Sequence, residues 1–298
     1  MKRVAISDRV FDIFKWIFLI LFMLATLYPI LNTLAVAFND GLDALRGGIY
    51  LWPRTFTLDN FKAVLAKQSL LNAAFISVAR TVIATLSQLF LTSLLAYILS
   101  RKEFIFRTPV TLLFIFTMYL NAGMIPNYMW LNKIGLTNTF WVYILPGMIS
   151  AFNLLVIRTY IHGIPESLVE SAKIDGASHI RIFWSIILPL CKPVLATVAL
   201  FIAVGQWNSW FDAMLYNGFN EKLSTLQYEL MKLLSSVTSQ GANANDMQNA
   251  AQAGGGGMVT PTSVRAATTI VTALPIVCLY PFLQKYFISG LTIGGVKG

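Results

Sequence analysis

The chain has 298 residues, 56% of them hydrophobic and 12% charged, with a formal net charge of +9, and its mean hydropathy is +0.67. Soluble domains carry about 25% charged residues, so this composition excludes an ordinary water-soluble globule and makes lipid the solvent for much of the chain. The positive charge is scattered over short connectors rather than gathered on one surface, which argues against a nucleic-acid binder and makes it a guide to orientation instead.

Six stretches contain no charged residue: 16–39, 81–100, 108–132, 134–157, 193–211 and 266–284. At 1.5 Å per residue, helices of these lengths cross about 30 Å of hydrocarbon. A helix satisfies its own backbone N–H and C=O groups in lipid, and the alternation of a barrel strand is not seen. The predicted fold is one all-α integral membrane domain over 1–298, with spans near 14–38, 72–99, 108–128, 139–160, 193–213 and 264–286.

In chain order, the first span follows basic residues and ends on Ala35-Val36-Ala37, which imitates a signal cleavage site. Its apolar run is too long for a signal core, so it is retained as a span. The loop from Asn39 to Leu71 is punctuated by Gly47-Gly48 and Trp52-Pro53, the mark of a folded segment rather than a flexible linker. Span two carries Arg80, which at that depth calls for a partner or a wet cavity. Leu223–Leu234 reads as a short surface helix. Residues 238–260 include four consecutive glycines, 254–257, and read as a mobile external loop, because such a composition buries little apolar surface.

With both termini placed in the cytoplasm, the connectors on that side hold 13 Lys and Arg against 8 on the other. The positive-inside rule favours this arrangement. Cys191 and Cys278 read as packing residues. His162 and His179 have no partners at ligand spacing, so no metal site is expected.

The longest connector on the basic side runs from 158 to 192, and its segment 164–190 predicts a compact knob. Pro165 suits the first turn of a short helix, Glu166 favours its positive end, and Gly176 supplies the left-handed residue after its last turn. Ser178 caps a second short helix predicted to end before Pro189.

The spacing Glu170-x-Ala172-x3-Gly176-x9-Ile186-x-Leu188-Pro189 resembles the EAA motif of the membrane subunits of ABC importers, with Ser171 where that motif has a second alanine. Gly135-Leu-Thr-Asn-Thr139, Leu145-Pro146, Trp207-Asn208 and Tyr280-Pro-Phe-Leu-Gln-Lys-Tyr-Phe287 are similar to the carbohydrate branch, in particular the second permease of maltose-type and polysaccharide-type systems.

The resemblance implies a type I importer-like permease in a bacterial inner membrane, crossing it many times. It implies as partners a second homologous permease subunit, a cytoplasmic ATPase dimer that holds ATP and Mg, an extracellular solute-binding protein and an oligosaccharide. No cofactor would be bound by this chain. The resemblance also implies that Glu170, Ser171, Ala172, Asp175, Gly176, Ile186, Leu188 and Pro189 form the ATPase-docking element, and that the tail 294–298, ending in Gly298, reaches the same ATPase.

No Gly-x4-Gly-Lys-Ser/Thr nucleotide loop occurs in the sequence, and no Ser, His and acidic residues form a nucleophilic set, so the chain reads as a transport subunit rather than an enzyme. For a sugar, Trp207, Asn208, Trp210 and Asp212 near the outer half of span five offer stacking faces, an amide and a carboxylate. Tyr119 and Asn121 join them as weaker candidates, with Asn127 beside them. Tryptophan is also enriched at bilayer interfaces without touching solute. A neighbouring branch importing amino acids or other solutes shares the docking loop. An ion-driven carrier would need carboxylates within the membrane, where Asp212, at the edge of a span, is the sole acidic candidate.

Overall fold

The computed structural model describes residues 6–239 and 259–295, with side chains described for 9–235 and 259–278. Regular structure among these residues is helical apart from one antiparallel bridge between Asn39 and Phe56. Three long helices among the described residues run without a break, the first through Pro29 and the last through Pro275 and Pro281. They are α1 (Ile6–Ala37), α4 (Gln68–Ser100) and the last helix, α14 (Pro261–Gly295).

Between α1 and α4 lie α2 (Gly41–Leu45) and α3 (Asp59–Ala66). The other three expected crossings are bent. α5 (Arg107–Tyr119) has 13 residues, roughly 20 Å of helix. The chain then breaks and resumes as α6 (Met124–Lys133), turned by 118°. The continuous span expected at 108–128 is thus two helices, and the break contains Gly123 at φ +89°, a backbone conformation a helix cannot contain.

The crossing expected at 139–160 starts with two 3-10 turns, Phe140–Tyr143 and Leu145–Gly147, and bends by 49° into α7 (Ala151–His162). Pro146 and Gly147 sit in this irregular stretch. The third bend, of 80°, falls at Cys191, ahead of α11 (Lys192–Asn208), whose N-terminal turn contains Pro193. Counting each bent pair as one crossing gives up to six. After α11 come α12 (Phe211–Asn217) and α13 (Leu226–Ser239), the latter starting three residues later than the surface helix expected from Leu223. Most of the glycine-rich loop expected at 238–260 lies outside the described residues.

The described residues group into two compact units, those within 1–68 and 230–274 and those within 69–229 and 275–298. In the first, the segment after α1 is folded as its turn residues predict. Buried Asn60 donates from its amide to the carbonyls of Ala37 (2.9 Å) and Asn39 (2.7 Å), and Asn39 Oδ1 accepts from the Thr55 N–H at 2.9 Å. Gly47 and Gly48 take positive φ at the turn, and Arg54 closes it by donating to the Gly47 carbonyl at 2.6 Å. The Asp43 carboxyl is held below the ordinary carboxylate range, first by the hydrogen bond from Asn39 and also by the neighbouring charge of Arg54.

In the second unit the main apolar core joins the end of α4, α7, the 167–190 loop and α11, through residues such as Leu99, Leu154, Ile157, Ile182, Phe183 and Val198. The polar connector recognised in the sequence is therefore seated on the same core as three membrane helices.

Candidate functional site

Two helices and an elbow build the candidate docking loop. The Pro165 carbonyl accepts the Leu168 N–H, opening α8 (Ser167–Ile174). Its C-terminus closes with paired bonds: the Gly176 N–H reaches the Lys173 carbonyl at 3.0 Å and the Ala177 N–H the Ala172 carbonyl at 2.9 Å. This is the Schellman arrangement, which requires a left-handed residue after the cap, and Gly176 has φ +77°. Ser178 then caps α9 (His179–Ile182), its Oγ accepting the Arg181 N–H at 3.4 Å.

The second helix does not end before Pro189 but runs on through a π-helical turn, Phe183–Ile187, into α10 (Leu188–Leu190). A proline in a helix removes one N–H and crowds the carbonyl four residues earlier. Widening the preceding turn to the π spacing is one way a helix accommodates such a disruption.

The predicted docking residues divide into two sets. Glu170, Ser171, Asp175, Gly176 and Pro189 are exposed, whereas Ala172, Ile186 and Leu188 are half-buried against the chain's own core. Gly298 lies outside the described residues. Of the exposed apolar residues in the loop that are absent from the predicted set, two project furthest outward: Ile174 is 86% and Ile180 73% exposed. Their signal in the sequence was an isoleucine on each side of the Gly176 elbow, in a loop whose core contacts are already supplied by Val169, Ile182 and Phe183. Beside them is a cleft of about 220 Å³ bordered by Ala172, Ala177, Ile182 and Ile186, with Asp175 and Arg181 also on its walls.

The loop is tied to the connector between α4 and α5. Lys102 pairs with Glu166 at 2.5 Å, and Lys173 pairs with Glu103. His179 brings Nε2 to 3.5 Å from Glu103 and Nδ1 to 3.2 Å from the Tyr97 hydroxyl. The hydrogen bond from Lys173 is the largest influence holding the Glu103 carboxyl below the ordinary glutamate range. The one from Lys102 does the same for Glu166.

The candidate substrate segment is organised by Arg80. This residue is 1% exposed. Its Nη2 donates to Asp212 Oδ2 at 2.5 Å and to Gln206 Oε1 at 2.8 Å, its Nη1 donates to the Ser209 carbonyl at 3.3 Å, and its guanidinium lies 4.3 Å from the Tyr143 ring centroid. A charge this deep is tolerated when paired and hydrogen-bonded. Asp212 also accepts from Ser209 Oγ at 2.8 Å and the Ala213 N–H at 2.9 Å.

Asp212, predicted to face solute, is thus the counter-ion of Arg80 across the break between α11 and α12. Trp207, predicted to stack on a sugar ring, is buried at 8% exposure within the chain. Asn208 is exposed and accepts from Gln227 at 3.2 Å, and Trp210 is half-buried, edge-on to Phe211. Tyr119 is exposed at the end of α5, and Asn121 is exposed in the α5–α6 break, where its side chain accepts the Gly123 N–H at 2.9 Å. The role of Gln206 as a partner of Arg80 was missed in the sequence, although a buried arginine needs more acceptors than one carboxylate supplies.

The chain is similar to known proteins over nearly its whole length. The chain is 40% identical over 295 residues to Protein LplC of Bacillus subtilis (strain 168), covering 98% of this chain and 96% of that protein. It is 36% identical to the polygalacturonan/rhamnogalacturonan transport system permease protein YtcP of the same organism, covering 98% and 100%. Among solved structures, a chain of a bacterial ABC transporter involved in the import of the acidic polysaccharide alginate superposes with a TM-score of 0.86 at 28% identity, covering 96% of this chain and all of that one. Residues 81–293 match the binding-protein-dependent transport system inner membrane components, and the chain belongs to that family.

Proposed function

We propose that this chain is one of two homologous membrane subunits of an ATP-driven importer of oligosaccharides or polysaccharide fragments, docking a separate cytoplasmic ATPase dimer through the loop at 164–190. The observation that carries the reading is a core-seated knob presenting Ile174 and Ile180 to solvent, in a sequence without a nucleotide-binding loop. Exposed isoleucines on a small polar knob suit a protein cleft better than water. Carbohydrate import is supported by the relatives, whose names specify polygalacturonan, rhamnogalacturonan and arabinooligosaccharides, and by the likeness to the transporter involved in the import of the acidic polysaccharide alginate.

In this reading the loop and both termini face the cytoplasm, an extracellular solute-binding protein delivers the sugar, and ATP with Mg stays on the partner. Closure of the ATPase dimer displaces the knob, the core it shares with α4, α7 and α11 moves with it, and the path alternates between the two sides. Asn208, Trp210, Tyr119 and Asn121 are the candidate solute contacts, while Trp207 and the Arg80–Asp212 pair hold the segment that presents two of them.

Ile174→Asp places a carboxylate at the centre of the docking face. The ATPase is expected to co-purify with the parent and to be lost from this variant, while the two membrane subunits stay together. Equal retention of the ATPase by parent and variant would sink the assignment of the docking face.

A further inference from the structure

The connector Arg101–Phe106 between α4 and α5 belongs to none of the predicted docking positions, yet it meets both halves of the docking loop. Glu103 receives Lys173 from α8 and lies 3.5 Å from His179 of α9, so a single carboxylate spans the Gly176 elbow. Its neighbour Lys102 holds Glu166 ahead of α8. The last turns of α4 join the same cluster. The Tyr97 hydroxyl meets His179, the Tyr97 ring lies 5.5 Å from Phe183, and the Leu99 carbonyl accepts Arg158 Nε of α7 at 3.1 Å.

Stability is a poor explanation for the ionic part of this cluster. Solvent-exposed ion pairs contribute about 0–1 kcal/mol each, and Glu103 and Lys102 are largely exposed. Their convergence instead fixes the elbow's position relative to α4. That helix continues without a break to Arg80, 17 residues before Tyr97, about 25 Å along the axis. At that point it holds the α11–α12 break through Gln206 and Asp212. One stiff helix therefore joins the docking loop to the candidate solute segment, a contiguous physical route of the kind that carries coupling.

We infer that the Arg101–Phe106 connector is a second input for coupling, in which Glu103 is a positioning residue that transfers movement of the docking loop into α4. This rests on the docking function proposed above and adds a path separate from the direct one through the shared core.

The test is a charge exchange in the complete transporter, reconstituted with its second membrane subunit, ATPase and solute-binding protein. The readouts are ATPase co-purification and sugar transported per ATP hydrolysed. Glu103→Lys and Lys173→Glu are each expected to retain the ATPase and to lower the transport ratio by about fivefold or more. The double exchange is expected to return it to within about twofold of the parent. Single variants with the parental ratio, or a double exchange no better than either single, would overturn the inference. Should a reversal prevent assembly, Glu103→Gln and Lys173→Gln decide it: a lowered ratio supports the role and an unchanged one contradicts it. Failure of the parent itself to hold an ATPase would instead count against the docking reading.

Discussion

Asp212→Ala destabilises the chain by about 3–5 kcal/mol, the range for stripping the partner from a buried charge. Arg80 is almost wholly enclosed, so without the carboxylate its guanidinium keeps Gln206 and the Ser209 carbonyl but loses the charge that balances it. Arg80→Met has a smaller effect, about 1–3 kcal/mol, because the arginine's hydrogen bonds disappear but no unpaired cation remains. Asp212 then retains Ser209 Oγ, the Ala213 N–H and access to water, its side chain being 24% exposed.

The asymmetry predicts that the double variant Arg80→Met/Asp212→Ala is more stable than Asp212→Ala alone. Thermal unfolding in nanodiscs, followed by tryptophan fluorescence, ranks the three. A double variant less stable than Asp212→Ala would show that the pair is not a charge-compensating clamp.

Gly176→Val is expected to abolish most ATP hydrolysis coupled to transport, while Gly176→Asn keeps most of it. A β-carbon at this position meets nothing within 4 Å, so crowding is not the reason. The reason is φ +77°. The left-handed region costs an L-residue about 1–2 kcal/mol, more for a β-branched side chain and less for asparagine. Valine relieves that strain by abandoning the conformation, which releases the Gly176 and Ala177 N–H groups from α8 and misplaces Ile180 relative to Ile174. Solute-stimulated ATPase activity of the reconstituted transporter separates the cases. Equal activity of Val and Asn variants would mean that the elbow's conformation is not what the partner reads.

Much of the architecture could be read from the sequence because lipid imposes a simple rule, and runs without charge marked where helices lie. The elbow was equally legible: Gly176 and Ser178 each have one dominant backbone use and occupy it, whereas Pro165, expected in the first turn of α8, lies just ahead of it, with Glu166 at the cap. The bends at Gly123, Pro146 and Cys191 were harder, since a glycine or proline marks a break without setting its angle and a cysteine marks none. The π turn before Pro189 is a strain response for which one sequence carries no separate signal.

Within the spans, the obstacle was that a membrane helix is apolar on faces toward lipid and toward protein alike, so no periodicity says which side is covered. Trp207 was therefore read as facing solute when it is buried. Arg80 was recognised as needing a partner and Asp212 as an unusual acid, but joining them requires a contact across 132 positions that no local pattern reveals. Ile174 and Ile180 were overlooked because apolar residues in a short amphipathic loop are ordinarily assigned to the core.

In the proposed function this chain moves a sugar by borrowing the work of a separate ATPase. The most direct test is uptake of labelled oligosaccharide by proteoliposomes containing the chain, its partner permease, the ATPase and the solute-binding protein. Uptake is expected to require ATP and the ATPase and to be indifferent to dissipation of ion gradients. Uptake that persists without ATP and collapses with an ion gradient would contradict it.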